Sequence, residues 1–312
     1  MYRPTLRIAV PLLGLLMLAA CGKDQSAQSS ASANNEPASA VMNQVKLLDQ
    51  GKIDALVKAS LPPADYQAVR QKFVEQQQDQ GPITDKQRKD FAEKMKELSA
   101  PDAEQSLFKQ LSPVLKQYDS KYKAQLPMYI GMGQTMMTTA INQSKDMTPE
   151  QKKQAGEMLS AAAQWAQSTD WGNEDKAKQA IAVVTSTVRK LDVKTLEQAR
   201  AMSYDEAMAK YGQVWMGVRK IFKVYGADID KALASVKAKT LSQADHKATV
   251  EISYSLFDKP MKSQIHMMER DGHWYNANLV TKLEKSMAED KAAAASSADA
   301  SASVPAVVSS TD

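Results

Sequence analysis

The sequence predicts an α+β protein: a mainly helical body followed by a small antiparallel sheet of three to four strands and a closing helix. Three observations carry that expectation. From about residue 39 to 234, apolar residues recur at steps of three and four, the period of a helix with one buried face. At residues 248–256 the period drops to two, the mark of a half-buried strand. Asp271-Gly272 then separates two more alternating runs, as a tight hairpin turn does.

The chain opens with Arg3 and Arg7 and no acid, then the uncharged apolar run Ile8–Leu18, then Ala19-Ala20. A basic start, a short apolar core and small residues at the exit describe a secretory signal. The apolar run is shorter than the roughly 20 residues that span a bilayer as a helix. Next comes Cys21, the only cysteine in 312 residues. Leu18-Ala19-Ala20-Cys21 resembles the lipobox of bacterial lipoproteins. The resemblance implies a diacylglyceryl thioether on Cys21, cleavage before it and acylation of the new amino terminus. Several acyl chains together anchor durably where one binds only marginally. Gly22 and Lys23 follow, without the aspartate that in this family marks inner-membrane retention. The implied address is therefore the outer membrane, on its periplasmic face. A lipidated thiol is unavailable for disulfides or for a cysteine-built metal site.

Residues 1–20 thus read as signal peptide and 21–38 as lipidated cysteine and flexible tether. The stretch "GKDQSAQSSASANNEPA" carries no apolar side chain larger than alanine and cannot offset its ordering entropy. Its reach is about 23 Å. A helical domain over 39–234 follows, then a β domain with its closing helix over 235–288. A low-complexity tail occupies 289–312.

The clearest helix runs from Ser203 to Gly226. Ser203 and Glu206 form a capping box, and Tyr204, Met208, Tyr211, Trp215, Val218 and Phe222 make one apolar stripe. Gly226 supplies the left-handed stop. Thr148-Pro149-Glu150-Gln151 opens another helix, with Met158, Ala162 and Trp165 on its apolar face. Asn173 starts a third, with Ala177, Ile181, Val184, Val188 and Leu191 on one side. Thr84 and Gln87 open a fourth, with Phe91, Met95 and Leu98 inward. Pro62-Pro63, Pro101 and Pro113 mark turns, giving about eight helices in all.

In the β part, Ala248, Val250, Ile252, Tyr254 and Leu256 share one face. With Asp271 and Gly272 in the turn, Arg270 faces His273, and Ile265, Met267 and Trp274 share a face. Residues 235–241 are a candidate fourth strand, and Val280–Met287 the closing helix. The strand pattern ending in "DGHWY" resembles the last strands of NTF2-like or cystatin-like α+β domains. As a whole the mature chain resembles uncharacterised proteobacterial lipoproteins, a class that supplies no catalytic residue.

The balance of 40 basic and 36 acidic residues leaves +4, or +2 once Arg3 and Arg7 depart with the signal. That is too little to argue for nucleic acid. No G-x-S-x-G, H-E-x-x-H or complete G-x-G-x-x-G is present; Met136 stands where the third glycine would be. Ser120 and Lys123 fit S-x-x-K, but the companion signatures S-D-N and K-T-G are missing. His246, His266 and His273 are the only histidines, and the last two fall about 13 Å apart on one strand face, too far to share a metal. One stretch stands out: in "PMYIGMGQTMMTTAI" Met128, Met132 and Met136 stack at helical spacing, and thioethers are soft ligands for Cu(I). The opposing reading is that methionine fills irregular core gaps. Gly131 and Gly133 then serve close approach of another helix.

These observations favour a non-catalytic role, without cofactor or catalytic residue: a lipid-anchored protein of the cell envelope that binds or scaffolds a protein or small-ligand partner. A carboxylate-dependent cell-wall or lipid hydrolase, and Cu(I) handling by Met128, Met132 and Met136, are the alternatives.

Overall fold

The start signals act where the sequence puts them. The computed structural model describes residues 36–145 and 147–302; Cys21, the leader and most of the tether lie outside them. Thr84, Thr148 and Ser203 each accept a hydrogen bond from the backbone N–H three residues on, and the Gln or Glu at that position reaches back. Thr195 does the same with Gln198, a fourth box that opens a helix of only five residues.

The helices run α1 (Pro37–Asp49), α2 (Ile53–Ser60), α3 (Pro63–Gln78), α4 (Asp85–Ser99), α5 (Ala103–Gln117), α6 (Leu126–Gln143), α7 (Pro149–Ser168), α8 (Glu174–Leu191), α9 (Leu196–Arg200), α10 (Tyr204–Val224) and α11 (Ile229–Ala234). Strands β1 (Lys237–Ala244), β2 (Lys247–Leu256), β3 (Lys259–Arg270) and β4 (His273–Asn276) follow, and α12 (Ala277–Ala302) closes the chain. This is the α+β architecture the sequence predicts, with the fourth strand present. α12 extends beyond residue 289 into the stretch assigned to a tail, because that stretch is alanine-rich and alanine is the best helix former.

Expectations about the helices need correction, first in number: eleven, not about eight, precede the sheet among the described residues. Pro113 does not mark a turn: it lies inside α5. Its ring removes a bond to the carbonyl of Lys109, and both residues are exposed, where such a loss costs less than in a core. One turn later the chain relaxes into a π-helical segment, Tyr118–Tyr122. The stripe on α10 also differs. Tyr204, Met208 and Trp215 are buried, but Tyr211 is 42% exposed. Gly212 takes the inward place, and α10 there meets the turn between α1 and α2 so closely that a β-carbon on Gly212 would lie 2.1 Å from the carbonyl oxygen of Gly51. Small size, not apolarity, is what that position requires.

The sheet is a meander in the order β1-β2-β3-β4, antiparallel throughout. Arg270 pairs with His273, the register expected from an Asp271-Gly272 turn. Ala248, Val250 and Ile252 on β2 face the core beside Met267, Ser263 and Trp274. All three hairpins are two-residue loops with both central residues at positive φ: Asp245-His246 (49° and 59°), Phe257-Asp258 (51° and 60°) and Asp271-Gly272 (51° and 73°). That geometry matches the right-handed twist of the flanking strands.

One hydrophobic core runs through both halves of the chain. Val41, Val45, Leu56 and Trp215 from the helices join Val250, Ile252, Met267, Trp274 and Val280 from the sheet and α12. Buried Arg219 ties α10 down by donating to the Asp49 carbonyl at 2.6 Å and to the Asp49 carboxylate at 2.8 Å, and it also pairs with Asp230. A second seam is aromatic: Trp165 on α7 stacks on Phe257 at 5.4 Å, beside Phe222 and Trp171, and its indole N–H donates to the Tyr225 carbonyl at 3.0 Å. That seam fixes the tip of the β2–β3 hairpin against the helices. The join between body and sheet is filled with side chains, so the candidate surface lies elsewhere.

Candidate interaction surface

α6 departs from the other long helices. Pro127 sits in its first turn, where the missing N–H costs nothing, and no charged residue occurs from Leu126 to Ser144. Only α7 backs it substantially. Gln134 donates to Ser160 on α7 at 3.3 Å, and the Lys152 ammonium donates to the Asn142 carbonyl at 2.7 Å at the carboxyl end. Thr135 and Thr139 fold their hydroxyls back onto the carbonyls four residues earlier, each at 2.9 Å.

The methionines stack on one helical face as the sequence predicts, but they fill no core. Met128 is 57% exposed, Met132 57% and Met136 69%, with Tyr129 at 55% and Met137 at 56% beside them. No residue of α6 is fully buried. The expectation for Gly131 and Gly133 is also overturned: a β-carbon on either would meet nothing within 4 Å, so no helix crosses there. Tyr129 and Met137 were missed as members of this face. The available signal was the uncharged run itself, since an amphipathic core helix ordinarily carries charge on its outer side.

The histidines are dispersed. His246 lies 3.1 Å from Glu269, and His266 lies 3.4 Å from the Thr249 hydroxyl. The Nδ1 of His273 is buried without a hydrogen bond. No group of three or more His, Cys, Asp or Glu that could hold a metal occurs among the described residues. Ser120 sits in the π-helical segment and donates to the Gln117 carbonyl at 3.3 Å, while the Lys123 amide closes that segment on Tyr118 at 2.9 Å. The S-x-x-K match is thus part of a helix irregularity.

For carboxylate chemistry the perturbed acid is Asp65. Burial pushes its pKa up and the nearby Glu284 adds to this, while Arg270 pulls the other way. Arg270 stands between the two acids, 2.7 Å from Glu284 and 3.8 Å from Asp65. The Asp65 side chain is 16% exposed, which suits a strut between α3, β3 and α12 better than an open catalytic acid. Arg70 makes a similar strut: it pairs with Asp205 at 2.5 Å, accompanies the bond from the Tyr66 hydroxyl to Asp54, and lies 4.6 Å over the Tyr204 ring.

Two surface clefts lie among the described residues. One, of 280 Å³, lies between α4 and α8 and is lined by Met95, Lys96, Val188, Arg189 and Lys194. The other, of 460 Å³, lies along α5 beside Phe108, Lys109, Pro113 and Lys116. In the first, Arg189 is already engaged by Glu104 and Lys194 by Asp192. Compared with protein-family models, curated proteins and solved structures, the chain matches none of them.

Proposed function

We propose that this is a lipid-anchored envelope protein with a non-catalytic binding or scaffolding role, held through acylated Cys21 at the periplasmic face of the outer membrane. The observation that supports a binding role most directly is α6: a long helix whose outer face is methionine and tyrosine, uncharged and without a partner among the described residues. Exposed apolar surface gathered on one element marks an interaction site more often than chance does, and methionine suits surfaces that adapt to their partner. The sequence around Cys21 supports the anchor. Mass spectrometry of protein purified from native membranes tests it. A diacylglyceryl cysteine with an acylated amino terminus is expected at residue 21; an unmodified residue, or a leader still attached, overturns the anchor. For the binding role, a photo-crosslinking residue in place of Met132 is expected to yield a discrete adduct in intact cells. The same residue in place of exposed Lys86 on α4 is not.

Cu(I) handling is the second reading, favoured by the thioethers of Met128, Met132 and Met136 lying open along one face. Titration of the wild type and of a variant with all three changed to leucine decides it. Equal Cu(I) affinity in the two proteins ends this reading.

A further inference from the structure

We propose that the outer face of α6 docks on an anionic phospholipid surface and lies flat along it. This rests on reading α6 as a binding face and names its occupant. The stripe of Met128, Tyr129, Met132 and Met136 is exposed and apolar, and no acid interrupts it. The helix is about 27 Å long at its 18 residues. No described helix is long and apolar enough to cross a membrane, so a lipid contact through α6 is made in the plane of the interface, where such a face sinks to the level of the acyl boundary. Tyr129 on the stripe and Tyr122 (45% exposed) just before the helix are the side-chain type that settles at headgroup depth.

Charge selects the lipid. Lys109, Lys116, Lys121 and Lys123 precede the helix, and Lys145, Lys152 and Lys153 follow it. All but Lys152 are exposed. Residues 105–153 hold these seven lysines against three acids, an excess of four, whereas the chain without Arg3 and Arg7 carries only +2 in all. The remainder of that chain is therefore net negative by two, and the positive excess lies around the apolar face, three charges before the helix and one after it. Lysines placed this way are drawn to the negative surface potential of anionic lipid. The same arrangement disfavours a second copy of the chain: pairing α6 with α6 about a two-fold axis brings the lysine-rich flanks of the two copies together.

The test uses the chain from residue 22, without lipid or leader. It retains every described residue, and the buried core among those residues lies between Pro37 and Leu283. Flotation is measured with vesicles of phosphatidylcholine alone and of phosphatidylcholine with phosphatidylglycerol. Binding is expected with the anionic vesicles, weaker with neutral ones, and reduced by added salt. Changing Met128, Met132 and Met136 together to glutamine is expected to lower binding about tenfold or more. The corresponding leucine variant, which removes the sulfurs but keeps the apolar face, is expected to bind as wild type does. Circular dichroism of each variant checks that the fold is retained. Wild type that fails to float with anionic vesicles overturns the proposal, as does a folded glutamine variant that floats equally well. A reversible dimer in sedimentation, lost in the glutamine variant, together with no vesicle binding, assigns the face to a second copy and overturns it too. Acylation of Cys21 is read separately on the native protein, so the anchor and the docking face stand or fall apart.

Discussion

Gly212 shows how a single missing β-carbon decides the packing of two helices. The carbonyl of Gly51 occupies the space a side chain would need, and Gly51 itself holds φ +66°, a conformation that lets the α1–α2 turn come this near. Gly212→Ala is therefore expected to destabilise the protein by about 2 kcal/mol or more, since neither backbone can yield freely. Tyr211→Ala next to it should change stability by about 0.5 kcal/mol or less. Urea denaturation of both variants checks the contrast; equal losses would place the wrong residue at the seam. Glu104 gives a second test at this scale. The Arg189 guanidinium, at 2.6 and 2.9 Å, and then the Thr185 hydroxyl, at 2.6 Å, hold its carboxyl at about 2, below the ordinary 4.5. A carboxylate depressed on folding adds stability above its unfolded pKa, and that contribution is lost as pH falls through the folded one. The stability gap between wild type and Glu104→Gln is thus expected to be full at neutral pH and to close between pH 4.5 and about 2. Thermal melts across that range would reveal a constant gap if the pairing contributed nothing ionic.

Among the elements, capping boxes and strand alternation were legible because they are local: each depends on residues within four positions of one another. The hairpins were legible only in part. Asp271-Gly272 advertises its turn through glycine, whereas Asp245-His246 and Phe257-Asp258 adopt the same positive φ values without it. In the Phe257 case the stack on Trp165 holds a bulky residue in a conformation it rarely takes alone. That partner is ninety-two residues away in sequence, beyond any local signal. α6 is the element whose composition and setting disagree. Its two glycines lower helix propensity without meeting any neighbour, so Gly131→Ala and Gly133→Ala are each expected to stabilise the protein by about 0.8–1 kcal/mol. Destabilisation by either, measured in the same urea series, would show a close contact at that face.

Across the whole molecule, burial is uneven. The core gathers α1, α2, α10, the sheet and the start of α12, while α4 and α6 contain no fully buried residue. Phe91, Met95 and Leu98 on α4, expected inward, are only half-buried, because that helix packs chiefly against α8 and leaves much of its surface in water. Local opening tracks buried contact, so amides of β2, β3 and α10 are expected to exchange with solvent most slowly and those of α6 much faster. Hydrogen exchange followed by mass spectrometry measures this directly; uniform protection would contradict the division. By itself the sequence determined the fold class, the succession of helical body, sheet and closing helix, the register of the last hairpin and the motif at Cys21, because each is written in spacing a few residues long. Only the tertiary structure decided that Gly212 and not Tyr211 faces inward, that Pro113 rides inside a helix, and that the methionines of α6 lie open to solvent. Those outcomes turn on what stands opposite each face, and the partners are brought there by the folding of distant segments.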